Sequence, residues 1–183
     1  MSFYKIASFI FFGILTISCT EKEAGDGKET IKHEIYKGPS LESKDLNVVY
    51  TDSGLVSMTM ITKEQIILHN EDQEYPKGLY VTFYDKNQEV SSTIKANYGY
   101  YYDQKDQWKL KGDVVVFNPL KGQKMETQRM FWTPKTQDIL VETTDSVTIT
   151  EPEQVLFGMG LKAKDDFSQY KITNPKGFRW VED

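Results

Sequence analysis

The chain has 183 residues, 22 basic and 27 acidic side chains, a formal net charge of −5 and a single cysteine, Cys19. It contains only two arginines, Arg129 and Arg179, and no basic block, which excludes the electrostatic footprint of a nucleic-acid-binding protein. The length fits one domain, and a lone cysteine cannot form an internal disulfide, so stability must come from a buried apolar core.

The N-terminal segment has the pattern of a secretion signal that ends at a lipid-attachment site. Lys5 precedes an apolar run over residues 6–15, and small residues lead to Cys19. The run is shorter than the roughly 20 residues that span a bilayer. We therefore predict a lipoprotein signal peptide over residues 1–18 and a lipid on Cys19. The alternative is an uncleaved anchor, which stays open because Thr16 stands where a lipobox usually has leucine.

Residues 19–40 are polar, charged and glycine-containing, which predicts a flexible linker between the lipid and the folded domain. The folded domain is predicted over residues 41–183. Its β-branched and aromatic residues recur in short runs separated by turn residues, which indicates strands over residues 46–51, 56–62, 79–84, 93–102, 108–117, 125–132 and 139–150. Nothing convincingly helical occurs.

Several of these strands alternate apolar and polar residues, so one face of each is predicted to be dry. Ile94, Ala96 and Tyr98 alternate with polar neighbours in this way. A repeat also underlies the pattern, in which Ile61, Ile94 and Met125 each open a strand that leads to a polar turn and a further strand. Stacked hairpins of this kind predict an all-β fold, a single open β-jellyroll of two sheets whose end strands expose unpaired backbone groups.

Several short segments resemble the LptC family, the membrane-attached periplasmic proteins of lipopolysaccharide export. They are residues 47–50 (NVVY), 82–86 (TFYDK), 94–96 (IKA), 110–114 (LKGDV), 136–139 (TQDI) and 157–161 (FGMGL). Their order and spacing carry the resemblance over residues 46–172. Better-known members of the family keep a transmembrane helix, whereas this N-terminus has the pattern of a lipoprotein.

The resemblance implies a non-enzymatic carrier without cofactors, anchored in the periplasm, with the inner membrane favoured. It would accept the acyl chains of lipopolysaccharide from an ATP-driven ABC transporter whose membrane subunits carry periplasmic β-rolls. It would then pass them to an LptA-like bridge protein. No nucleotide-binding motif occurs in this chain, so the energy for transport would come from the transporter.

The lipid-binding candidates are the predicted dry-face residues, and ordinary core packing is the alternative for each of them. Trp108, Met130 and Trp132 are of most interest because large or flexible side chains can repack around varied acyl chains. The full set is Met60, Phe83, Ile94, Ala96, Tyr98, Trp108, Leu110, Val114, Val116, Met130, Trp132, Val141, Val147 and Ile149.

The resemblance also implies that each end of the roll pairs with a partner. The N-terminal end, with Val48, Tyr50 and Met58, would meet the transporter, and the C-terminal end, with Gly160, Leu161 and Ile172, would meet the bridge protein. Glycines 112 and 160 match family glycines, and a glycine within a strand allows a bulge or close backbone approach. A local turn is the alternative.

Two other functions are compatible with the sequence: a glycan-binding surface lipoprotein that uses tyrosines 98, 100, 101 and 102, and a scaffold lipoprotein with a solid β-core. No metal site is predicted, since His33 and His69 lack neighbours at ligand spacing. Residues 103–106 (DQKD) contain a lysine and no third carboxylate, so we interpret them as a hairpin turn rather than a calcium loop.

Overall fold

The computed structural model describes residues 36–134, 141–164 and 169–179. The predicted signal peptide, Cys19 and most of the predicted linker lie outside these residues. All the described strands belong to one compact unit, Lys37–Asp183. Within the described ranges, no helix is long and apolar enough to cross a membrane.

Eleven strands form one hydrogen-bonded antiparallel sheet, which confirms the predicted all-β fold. They are β1 (Leu41–Asp52), β2 (Leu55–Ile67), β3 (Gln73–Tyr75), β4 (Leu79–Tyr84), β5 (Val90–Ala96), β6 (Tyr98–Tyr102), β7 (Gln107–Asn118), β8 (Gln123–Trp132), β9 (Val141–Glu151), β10 (Gln154–Ala163) and β11 (Tyr170–Arg179). A single 3₁₀ turn, Asp103–Lys105, separates β6 from β7.

The sheet is a meander in which each line of chain pairs with the next. Strands β3 and β4 are two parts of one line, because β2 pairs with both of them along its length. Strands β5 and β6 are likewise one line interrupted at Asn97, and both pair with β7. Sequence neighbours therefore supply nearly all of the backbone pairing.

A row of backbone irregularities crosses the sheet at one level, and we call it the bend row. It contains the left-handed residues Asp45, Gly78, Gly112, Asp113, Gly160 and Asn174, the break at Asn97, and register shifts where β8 and β9 pair. Bulges and breaks bend strands. The row therefore divides the sheet into two facing layers, which gives the predicted roll. Layer A holds the strand halves toward the β1–β2 turn, such as residues 55–61 and 114–118, and layer B holds the other halves.

Buried threonines donate hydrogen bonds to backbone carbonyls at the bend row. The Thr62 hydroxyl donates to the carbonyl of Gly78 over 2.8 Å, and the Thr127 hydroxyl donates to the carbonyl of Ser146 over 2.9 Å. Gly78 must be glycine, because a Cβ atom there would lie 2.5 Å from the Ala96 carbonyl oxygen. The bend thus depends on a few polar residues of the interior.

Asp72 connects the β2–β3 turn to the β6–β7 turn. Its carboxylate is 9 % exposed and accepts hydrogen bonds of 2.9 Å from the Asp103 backbone N–H, the Tyr100 hydroxyl and the Asn70 amide. Burial acts to raise the pKa of Asp72, but these hydrogen bonds lower it below its ordinary value. Two turns distant in sequence are therefore joined through one ionised side chain.

The predicted repeat is wrong in register. None of Ile61, Ile94 and Met125 opens a strand, and Ile61 is 55 % exposed on the outer face whereas the other two are buried. The feature that recurs from strand to strand is the backbone bend, and not the start of a hairpin. The β3, β10 and β11 segments were not among the predicted strands.

Candidate binding cleft

The strand ends of the two layers face each other on the side opposite the bend row, along a line that we call the mouth. Strand register aligns one row of inward residues along each side. Lip A, from layer A, comprises Tyr50, Met58, Phe83, Ser92, Asn118, Gln123, Glu151 and Gln154. Lip B, from layer B, comprises Gln73, Tyr101, Trp108, Trp132, Val141, Ala163 and Tyr170.

A cleft lies between two of the side-chain contacts that the described residues make across the mouth. Phe83 meets Trp132 edge-to-face, with ring centroids 5.5 Å apart and an interplanar angle of 83°. Further along, the Tyr170 hydroxyl donates to Glu151 over 3.0 Å. The cleft between them has a volume of about 260 Å³ and is lined by Ser57, Phe83, Tyr84, Ser91, Ser92, Ile94, Val116, Asn118, Trp132 and Val141.

The N-terminal side of the cleft is aromatic and tightly packed. Trp108 stacks on Trp132 with centroids 6.2 Å apart and contacts Tyr75 and Tyr101 at 5.3 and 5.0 Å. Behind these rings is a cavity of only about 10 Å³, the smallest volume that can hold one water molecule. The interior between the bend row and these rings is therefore solid, and the space available to a ligand lies at the mouth.

The C-terminal side of the cleft is polar. The Glu151 carboxylate accepts hydrogen bonds from the Gln123 and Gln154 amides and from Tyr170. Burial acts to raise the pKa of Glu151, but these three donors lower it below its ordinary value. Burial and the hydrogen bond to Glu151 raise the pKa of Tyr170 to about 12. At neutral pH the carboxylate is therefore ionised and the phenol is neutral.

Most of the predicted lipid-binding residues face the interior. Phe83, Trp108 and Trp132 lie on the lips and pack against the core. The fully buried candidates are Met60, Ile94, Ala96, Leu110, Val114, Val116, Met130, Val141, Val147 and Ile149. Only Ile94, Val116 and Val141 of these also line the cleft, so a role for the others in contact with lipid stays a prediction.

The predicted inward direction of Tyr98 is wrong. The break at Asn97 inserts one residue into the alternation, so the inner face continues at Gly99 and Tyr101. Tyr98 lies on the outer face of layer B, where its hydroxyl donates to Glu74 over 2.9 Å. The alternation of inward and outward side chains along a strand cannot be extended through a bend.

The polar residues of lip A were not among the sequence candidates. Asn118 follows Val116 by two residues, Gln123 precedes Met125 by two, and Glu151 follows Ile149 by two. Each therefore continues the inward period of an apolar strand with a polar side chain at the strand end. That substitution of a polar residue at an inward position is the sequence signal that could have identified them.

The two edges of the sheet are β1 and β11, and within the described residues nothing pairs with their outer sides. Val48 and Tyr50 lie on β1 and Ile172 lies on β11, as the predicted interfaces require. The other three predicted interface residues lie on β2 and β10, the strands next to the edges, and not on the edge strands themselves. Met58 is in β2, Gly160 is in the bend row of β10, and Leu161 is 2 % exposed in the interior.

The tyrosine run is divided between the two faces of layer B. Tyr98 and Tyr102 face outward, and the ammonium groups of Lys111 and Lys105 lie 5.4 and 5.3 Å from their ring centroids. Burial first, and hydrogen bonds to carboxylates second, raise the pKa values of Tyr98, Tyr100 and Tyr101 to about 12. The rings of Tyr98 and Tyr102 thus each carry a lysine of the same chain.

Residues 103–106 form the predicted turn, with Asp106 in the left-handed region and the Tyr101 hydroxyl bonded to its carboxylate. Across the residues that the structure describes, no three His, Cys, Asp or Glu side chains are grouped as metal ligands.

The described residues thus form a two-layer β-roll with a partly apolar cleft along its mouth. The sequence matches the family described as "LptC: Lipopolysaccharide-assembly, LptC-related" over residues 7–174, and the chain belongs to this family. Its members are periplasmic, membrane-associated components of lipopolysaccharide transport. A comparison with curated proteins finds no match to the chain.

Proposed function

We propose that this chain is a membrane-anchored carrier that holds acyl chains of lipopolysaccharide in the cleft between Phe83–Trp132 and Glu151–Tyr170. It would receive them from an inner-membrane ABC transporter and pass them to an LptA-like bridge protein. The observation that carries the proposal is the cleft itself, because a solid scaffold has no need of one. A lipid on Cys19 would keep the roll at the membrane.

The physical need for such a cleft follows from the cost of exposing an acyl chain to water. Each methylene removed from water gains about 0.8 kcal/mol, so ten buried methylenes gain about 8 kcal/mol before other costs. The cleft, at about 260 Å³, lies just below the range of about 300–1,000 Å³ for small-molecule sites. It therefore encloses part of an acyl chain, and further burial requires the lips to separate along the mouth.

Transfer between proteins would use the free edges of the sheet. Strand addition to β1, near Val48 and Tyr50, would join the roll to the transporter, and addition to β11, near Ile172, would join it to the bridge protein. Such pairing would continue the mouth from one roll into the next. The carrier would then have to bind lipid no more tightly than the neighbouring proteins do. Lipid newly loaded by the transporter could then push bound lipid onward.

A photo-crosslinking residue tests this proposal in cells when it replaces Phe83, Trp132 or, as the matched control, Tyr98. All three are aromatic and partly exposed, but only the first two line the cleft. We expect lipopolysaccharide adducts at positions 83 and 132 and none at position 98. A folded, membrane-bound protein without adducts at 83 and 132, or with equal adducts at all three positions, would refute the carrier proposal.

A further inference from the structure

Lip A changes from apolar to polar along the mouth. Its N-terminal part is Tyr50, Met58 and Phe83, and the strand register continues it as Ser92, Asn118, Gln123, Glu151 and Gln154. Lip B stays aromatic or aliphatic over the same stretch, from Trp132 to Ala163. The cleft thus has an apolar wall facing a polar one, an arrangement that solid core packing does not require.

Gln123 has a buried acceptor atom that the rest of this polar wall does not pair. It is 7 % exposed, and its amide nitrogen donates to Glu151 over 2.6 Å. Its Oε1 atom is buried and accepts no hydrogen bond from the described residues. A buried acceptor without a donor carries a free-energy penalty that a bound donor relieves.

The residue that carries the unpaired acceptor is the strand neighbour of a residue that lines the cleft. Gln123 pairs with Asn118 across β7 and β8, and Asn118 lines the cleft. Neighbouring strands are about 4.8 Å apart, so a group on a molecule in the cleft would lie about one strand away from Gln123. Because the Oε1 atom is enclosed, such a group reaches it when the lips part at the Tyr170–Glu151 contact.

The charges around the cleft determine what kind of donor fits. Glu151 is ionised and next to Gln123, and no lysine or arginine is among the residues that line the cleft. A phosphate or carboxylate would be repelled there and would lose its hydration without a cation in return. A neutral hydroxyl or N–H group has neither cost.

We infer that the polar half of lip A is a binding site for a neutral hydrogen-bond donor carried on an acyl chain, with Gln123 Oε1 as its acceptor. The inference rests on the proposed carrier function and adds a selectivity to it. Hydroxylated chains bind in preference to plain ones, and the anionic groups of the same lipid stay outside the cleft.

The experiment compares methyl 3-hydroxydecanoate with methyl decanoate, which differ by one hydroxyl and have no charge and no other donor. Binding to the full chain in lipid nanodiscs is followed by tryptophan emission, since Trp132 lines the cleft, with protein-free nanodiscs as the blank. We expect the hydroxylated ester to bind about fivefold to tenfold more tightly, as a hydrogen bond to a buried acceptor predicts. The variant Gln123→Met should reduce this preference to less than twofold, and Gln128→Met, an exposed glutamine, should retain it.

Equal affinity of the wild-type chain for the two esters would overturn this inference and leave the carrier proposal intact. If neither ester binds, both are overturned. A preference that persists in folded Gln123→Met would overturn the assignment of the acceptor. The wild-type comparison decides the selectivity even if that variant fails to fold.

Discussion

The edge-to-face pair of Phe83 and Trp132 joins the two lips, so its removal should weaken the roll at the cleft. Truncation of a fully buried aromatic residue to alanine costs about 3–5 kcal/mol. Both rings are half-buried, so we expect each of Phe83→Ala and Trp132→Ala to lower the free energy of unfolding by about 2–3 kcal/mol. Because each single variant already loses the aromatic contact, the double variant should lose about 0.5–1.5 kcal/mol less than the sum.

Urea denaturation of the wild type, both single variants and the double variant gives this coupling energy directly. Losses that add to within about 0.3–0.5 kcal/mol would show that the two rings do not interact across the mouth. The outward pair Tyr100 and Tyr102, with centroids 4.6 Å apart, is the matched control for function. Alanine at those two positions should lower stability without reducing lipopolysaccharide adducts, whereas Trp132→Ala should reduce the adducts at position 83.

Three further substitutions test the bend row and the connected turns. Asp72→Asn removes a charged acceptor and should cost about 2–3 kcal/mol in urea denaturation at pH 7. Because the pKa of Asp72 is lowered in the fold, the difference from wild type should be full above the unfolded pKa of about 3.9 and should shrink as the pH falls through the lower pKa of the folded state. A difference that instead grows as the pH falls would contradict the assignment. Thr62→Val keeps the shape of the side chain but removes the hydrogen-bond donor to the Gly78 carbonyl. We expect the free energy of unfolding in urea to fall by about 1–2 kcal/mol, and a fall of less than about 0.5 kcal/mol would mean that the bend does not need this hydrogen bond. Gly160→Arg forces a side chain at φ +78°, so thermal unfolding should show a loss of about 1–2 kcal/mol in the free energy of unfolding. An unchanged unfolding temperature would mean that the bend row does not need glycine at this position.

The strands and most inward positions could be predicted because a half-buried strand repeats every two residues. Residues 79–84 were predicted with the observed ends of β4, and Leu110, Met130 and Val147 were predicted on the buried face. The alternation of apolar and polar residues shows which side of a strand is buried, and each short run of residues contains that information by itself. The layers, by contrast, depend on where every strand bends.

The bend could not be predicted from any one strand. At Asn97 it reverses the face of the following residues, which is why Tyr98 was assigned inward and lies outward. The polar wall of the cleft was missed for a related reason, since Gln123 and Glu151 are at strand ends where a polar residue ordinarily indicates a turn. Only the facing lip, formed by the opposite ends of the same strands, makes these two residues part of a site.

The meander has a consequence for the dimensions of the roll. Because each line of chain pairs with its sequence neighbours, every added strand lengthens the mouth by one interstrand spacing, about 4.8 Å, without altering the pairs already present. A duplicated hairpin at either edge would therefore extend the enclosed path by about 10 Å while the bend row continued through it. Path length in this architecture is thus set by the number of strands, and it can change in evolution by whole hairpins without redesign of the interior.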